Sequence, residues 1–88
     1  MYALICTDKD GALEIRKANR DAHLAYAAET PVVFAGPFQN EDSAMIGSLL
    51  VVDVATRAEA EAWAANDPYA KVGLFQKVRI ERFEKVIG

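Results

Sequence analysis

One histidine, His23, and one cysteine, Cys6, occur in the 88-residue chain. The imidazole is therefore the natural centre for any proton chemistry, since an unperturbed pKa of about 6.5 lets it give or take a proton near neutral pH. Arg16 and Arg20 precede it by seven and three residues. On a helix that spacing keeps all three within about 60° of arc. The second candidate is Asp67, in Asn66-Asp67-Pro68-Tyr69. A carboxylate beside a histidine fixes its tautomer and stabilises the imidazolium that proton uptake creates. Both residues have plainer readings. A lone helical histidine commonly sits at the surface or at a cap, and Asp before Pro commonly ends a helix or makes a turn.

Lesser candidates surround this pair. Ser48 follows Gly47 at the start of an apolar run and can hydrogen-bond a ligand, although no G-x-S-x-G elbow marks it as a nucleophile. Gly36-Pro37 reads as a strand-end turn whose backbone N–H faces a pocket, and Tyr69 lines a cavity or packs. Cys6 reads as a small buried hydrophobe that has no second cysteine to pair with. One His and one distant Cys make no transition-metal site, and neither a Walker loop nor a Rossmann glycine pattern occurs. The expectation is no metal and no cofactor.

Hydrophobic residues form 52% of the chain and charged residues 26%, a globular balance that argues against disorder. The formal net charge of −3 disfavours a phosphate backbone as partner. No apolar run approaches the roughly 20 residues of a membrane span, and the first residues lack the pattern of a signal peptide. With a single cysteine, these features point to a protein of the reducing cytoplasm with neither nucleic-acid nor membrane partners.

The elements that must position these residues follow from punctuation and periodicity. Tyr2 to Thr7 reads as a strand closed by the turn cluster Asp8-Lys9-Asp10-Gly11. Ala12 to Glu29, free of Gly and Pro, reads as a helix with Ile15, Ala18, Ala22, Ala25 and Tyr26 on one apolar face, stopped by Thr30-Pro31. Val32 to Ala35 is a second strand closed by Gly36-Pro37, Gln39 to Ser43 a loop, and Ser48 to Val54 a third strand. Thr56-Arg57-Ala58-Glu59 fits a capping box opening a second helix that Asp67-Pro68 ends. One short turn then leads to Gly73, and Leu74 to Val86 is the last strand.

The order β-α-β-β-α-β predicts one α+β domain over residues 1–88 of ferredoxin-like type: a four-stranded antiparallel sheet with two helices on one face. The first and third strands, apolar on both faces, belong in the centre, and the alternating last strand belongs at an edge. Helices cover one face only, so the other predicts a homodimer through the open sheet, or else a covering loop from Phe38 to Ile46.

Arg20-Asp21-Ala22-His23-Leu24, Ala35-Gly36-Pro37, Gly47-Ser48, Asn66-Asp67-Pro68-Tyr69 with Gly73, and Phe83-Glu84-Lys85-Val86 together resemble the YciI-like proteins over nearly the whole chain. That family is similar to muconolactone isomerases and dimeric α/β-barrel proteins, so the resemblance implies a small dimer of the dimeric α/β-barrel type. It also implies a pocket centred on His23 and Asp67, with Arg20 and Ser48 at positions of the family pattern. One family member is a dehydrochlorinase acting on a chlorinated hydroxyhydroquinone.

Two functional expectations follow. The first is a cofactor-independent enzyme in which the His23/Asp67 pair moves a proton on a small cyclic or aromatic anion, as an isomerase or a lyase of dehydrochlorinase type. In it Arg20, with Arg16, holds the anion, and Ser48, Gly36 and Tyr69 line the substrate site. The second is a non-catalytic dimeric module that binds a small molecule or a partner through the same cleft, because a fold never establishes a function.

Overall fold

The first strand, β1 (Tyr2–Asp8), alternates so that Leu4 and Cys6 enter the core on the side where the helices pack, and Asp8 follows them in parity. The helix α1 (Leu13–Ala28) and the edge strand β2 (Val32–Gln39) come next. They lead to β3 (Met45–Val52), α2 (Arg57–Asn66), the single turn α3 (Pro68–Lys71) and β4 (Phe75–Arg82). The computed structural model describes residues 1–88. Its antiparallel sheet has the order β2-β3-β1-β4, the ferredoxin-like arrangement. The strands with the most buried residues, β1 and β3, are the central ones, where both edges are paired.

The core lies between sheet and helices. Leu4, Cys6, Leu50, Val52, Ala60 and Trp63 form its main cluster, and Ala12, Tyr69 and Leu74 a smaller one. Hydrogen bonds lock α1 to α2. The Tyr26 hydroxyl donates to the Trp63 carbonyl at 2.8 Å, and Trp63 Nε1 donates to Thr30 Oγ1 at 2.8 Å. Satisfying these polar tips lets both large rings be buried without cost to their donors. Thr56 caps α2 by accepting from Glu59 N at 3.2 Å. The glutamate answers by accepting from the Thr56 hydroxyl at 3.2 Å rather than from its backbone N–H. Gly73, at φ +72, supplies the left-handed residue that ends α3.

Three expectations are corrected. Gly36-Pro37 is not a turn: β2 continues through it to Gln39, with Pro37 opposite Ser48. Proline is tolerated because β2 is an edge, where a missing N–H breaks no ladder bond. The third strand accordingly begins at Met45, and Asn40 to Ala44 closes a short hairpin that leaves Phe38 and Ile46 exposed, so no loop covers the open face. Finally, α1 is rotated from its apolar reading. Its buried residues are Arg16 and His23, while Ile15, Ala18, Ala22 and Ala25 face outward. The space beneath α1 is a polar-lined cavity rather than a packed seam, and burying paired charges beside it outweighed burying small alanines.

Candidate active site

His23 projects from the middle of α1 and Asp67 from the junction of α2 and α3, 44 positions away, and they meet at 2.8 Å through Nδ1 and Oδ1. A carboxylate only accepts, so Nδ1 carries the hydrogen and the neutral ring keeps its lone pair on Nε2. Nε2 has no protein partner and stays open to the cavity that His23 lines. The same Oδ1 accepts from Tyr69 N at 3.0 Å. Asp67 is therefore both the cap of α3 and the partner of the imidazole: the two sequence readings coexist in one oxygen. Its Oδ2 is buried with no hydrogen-bond partner. Held this way, the carboxylate favours any positive charge that develops on the ring beside it.

Tyr69 connects this pair to a second one. Its ring stacks on His23 with centroids 4.0 Å apart and an interplanar angle of 12°. The Arg16 guanidinium lies over the same ring at 4.8 Å. Arg16 in turn forms a two-pronged ion pair with Asp8, Nε to Oδ2 at 2.7 Å and Nη2 to Oδ1 at 3.0 Å. Nη2 also donates to Ser48 Oγ at 2.7 Å. Both charged side chains are almost fully buried, at 4% and 5% exposure.

The cavity these groups face measures about 220 Å³. Its polar lining is Arg16, Arg20, His23, Ser48 and Tyr69, and apolar contact comes from Leu24, Pro37 and Met45 among others. An apolar cavity of about 150 Å³ holds benzene, so this one has room for a single substituted ring. Gly36 lines it as part of β2, where a Cβ would meet nothing within 4 Å. Arg20 is exposed at its mouth without an ion-pair partner.

Burial pushes the Tyr69 phenol above its usual range; Arg16 and Arg20 oppose this, and Asp67 adds to it. Tyr69 is thus held as a neutral phenol. For Arg16, burial works against the charge, but the hydrogen bond and charge of Asp8 outweigh it, and the guanidinium is held more firmly protonated than usual. Cys6, beneath the site, is pushed up to about 12 by burial first and by Asp67 and Asp8 next. No set of three or more His, Cys, Asp or Glu side chains is arranged to hold a metal ion.

The structure thus brings His23, Asp67, Tyr69, Ser48, Gly36 and Arg20 to one cavity or its immediate wall. Sequence reasoning passed over Asp8 by assigning it to a turn. Its parity with Leu4 and Cys6 was the available signal, since residues i, i+2 and i+4 of a strand share a face. A one-residue irregularity, where Asp8 pairs with Phe75 after Thr7 pairs with Lys77, lies at this point of the sheet.

The YCII-related domain model matches residues 1–84. Protein YciI of Escherichia coli O6:H1 is 32% identical over 96 residues, covering 98% of each chain. Among solved structures, the 5-chloro-2-hydroxyhydroquinone dehydrochlorinase TftG from Burkholderia phenoliruptrix AC1100, in complex with 2,5-dihydroxybenzoquinone, superposes with a TM-score of 0.86 at 30% identity. That match covers 94% of this chain and 92% of the other. PA3566 from Pseudomonas aeruginosa, at 15% identity and a TM-score of 0.58 over 98% and 92% of the two chains, shares the fold. A family model spanning all but the last four residues, with identity sustained along the whole length of a relative, places this chain in the YCII-related family.

Proposed function

We propose that this protein is a cofactor-independent enzyme that moves a proton on a small cyclic or aromatic anion, as an isomerase or a dehydrochlorinase-type lyase. The observation that carries this reading is the His23–Asp67 pair, joined at 2.8 Å with Nε2 free beside a ring-sized cavity. The likeness to a dehydrochlorinase at a TM-score of 0.86 supports the reaction class, and its quinone complex supports a single oxygenated ring as ligand. His23 Nε2 takes a proton from a ring hydroxyl or ring carbon, and Asp67 stabilises the imidazolium that results. In an elimination from a chlorinated dihydroxyphenol, the ring first ketonises, one hydroxyl proton passing to the chlorine-bearing carbon. His23 Nε2 then takes the proton of the other hydroxyl, and the electron pair released moves through the ring to close a carbon–carbon double bond. The carbon–chlorine bond breaks with its pair on chloride, leaving a quinone. In an isomerisation, the same proton returns to another carbon. Substrate contacts fall to Arg20, Ser48, Tyr69 and the Gly36 backbone.

Assembly belongs to the same proposal. The open face carries Phe34, Val51 and Ala3 in one row and Gly36, Leu49 and Ile5 in the next, with Arg79 and Glu81 toward β4. Val51 and Ala3 are buried within the single chain, so the exposed apolar area is that of the β2 phenylalanines. Phe34 at 45% exposure and Phe38 at 39% leave apolar area that a second copy covers in a homodimer. The enzyme acts in the cytoplasm of a bacterial cell.

Replacing His23 with Ala tests the mechanism. Chloride release from chlorinated dihydroxyphenols, and solvent deuterium exchange into lactones, are followed in wild type and variant. The expected result is a rate at least about 10²-fold lower in a folded variant. Unchanged turnover in the variant would remove the acid–base mechanism, whereas no turnover by wild type would leave the binding-module reading.

A further inference from the structure

Arg16 has five N–H hydrogens, of which Nε and the two on Nη2 are consumed by Asp8 and Ser48. Neither on Nη1 closes a hydrogen bond within 3.5 Å, although the Tyr69 oxygen lies close enough to act on the guanidinium, and Nη1 is not sealed from solvent. Ser48 Oγ accepts from Arg16, and its own proton is assigned to no acceptor. Arg16 and Ser48 both line the cavity, and both are at least 97% buried. Donor hydrogens of Nη1 and of the Ser48 hydroxyl thus reach the cavity, where the Tyr69 oxygen is the one side-chain acceptor that acts on Arg16 apart from Asp8 and Ser48. An entering oxyanion takes one Nη1 hydrogen and the Ser48 hydroxyl proton in place of water, and a charge-assisted hydrogen bond is the stronger of the two. Arg20, by contrast, is exposed to water and tied to nothing.

We propose that Arg16 Nη1 and Ser48 Oγ form an oxyanion subsite for one ring-borne carboxylate or phenolate oxygen, and that Asp8 is the positioning residue that orients the guanidinium. The proposal deepens the functional reading above, because it supplies the anion contact of the same cavity and shifts it from Arg20 to Arg16. The site is two dyads built on one plan, each with a buried carboxylate behind its working side chain: Asp67 behind His23, Asp8 behind Arg16. Tyr69, touching both His23 and Arg16, sets their spacing. One dyad moves a proton while the other holds a fixed positive charge toward which substrate electrons are drawn.

The test is equilibrium binding, which separates this subsite from the fate of the acid–base mechanism. Titration calorimetry compares 4-hydroxybenzoate with its neutral isostere 4-hydroxybenzamide in wild type and in Arg16→Gln, Ser48→Ala, Arg20→Gln, Asp8→Asn, Asp8→Glu and His23→Ala. Wild type is expected to prefer the anion. Arg16→Gln should weaken benzoate binding by about 10- to 100-fold while leaving the benzamide within about threefold, the range of a charge-assisted hydrogen bond. Ser48→Ala, a change too small to threaten the fold, should cost the anion about 3- to 10-fold. Asp8→Asn should weaken the anion selectively, with Asp8→Glu restoring part of it, a pattern that general loosening of the fold does not produce. Arg20→Gln, which removes a solvent-screened charge at the rim, should weaken anion binding by less than Arg16→Gln does. His23→Ala should keep the preference for the anion even as turnover is lost. Equal affinity of wild type for both probes, no binding of either at millimolar concentration, anion binding unaffected by both Arg16→Gln and Ser48→Ala, or a larger loss in Arg20→Gln than in Arg16→Gln would each overturn the proposal.

Discussion

Asp67 does two jobs through one oxygen, and the two separate by substitution. Asp67→Asn keeps an oxygen to cap Tyr69 N and to accept from His23 Nδ1, but removes the charge that stabilises an imidazolium. It should therefore fold normally and react at least about 10²-fold more slowly, as read by urea melts beside halide release. Asp67→Ala removes the cap as well, and should lower stability by about 1–3 kcal/mol in the same melts. Cys6 makes a pH prediction. Its thiol is raised from 9.0 to about 12 in the folded chain, so between those values the unfolded chain loses the proton and the folded chain keeps it. Stability that is intact below pH 9 is thus lost as pH climbs toward 12, and the raised Tyr69 and Tyr26 phenols act in the same sense. Alkaline melts should show the decline, and Cys6 alkylation at pH 8 should follow the rate of unfolding. Rapid labelling of the native protein would contradict its burial.

The site depends on how closely the central strands approach. Gly47 of β3 pairs with Thr7 of β1, and a Cβ there would collide with the backbone carbonyl of Cys6 and press on the Phe38 ring. A neighbouring backbone oxygen cannot yield as a flexible side chain does. Gly47→Ala should therefore cost about 1–3 kcal/mol. It should also disturb ligand binding, because Ser48 is the next residue and holds Arg16. A melt within about 0.5 kcal/mol of wild type would mean that the strands separate freely. The position of α1 obeys a related constraint: turning its alanine stripe inward would carry Arg16 and His23 out to water and strand Asp8 and Asp67 in the interior. An unpaired buried charge costs far more than the transfer of a few methyl groups gains.

For the assembled protein, the proposed homodimer forms through the open sheet face. Phe34, which pairs across to Val51 and lies outside the cavity lining, is half exposed in the single chain. Phe34→Glu places a charge where solvent already reaches, so the fold should survive while association fails. Sedimentation at micromolar concentration should then give half the wild-type mass. A wild type that sediments as a monomer, or a variant that stays dimeric, would locate assembly elsewhere. No helix is long and apolar enough to cross a membrane.

Local rules were enough for the order of elements, because each depends on neighbours in the chain. Gly and Pro positions, the capping residues and strand alternation lead to the four strands, the two main helices and the turn at Pro68. The motif residues carried the family likeness for the same reason. Which side of α1 faces inward, the passage of β2 through Gly36-Pro37, and the partnership of Asp8 with Arg16 lay beyond that reach. Helical periodicity ranks faces by apolarity, whereas burial follows the sum of contacts, and a charge is buried readily once its counter-charge waits on another strand. Those counter-charges come from distant segments, Asp8 from the end of β1 and Asp67 from beyond α2, so packing alone decided where the chemistry sits.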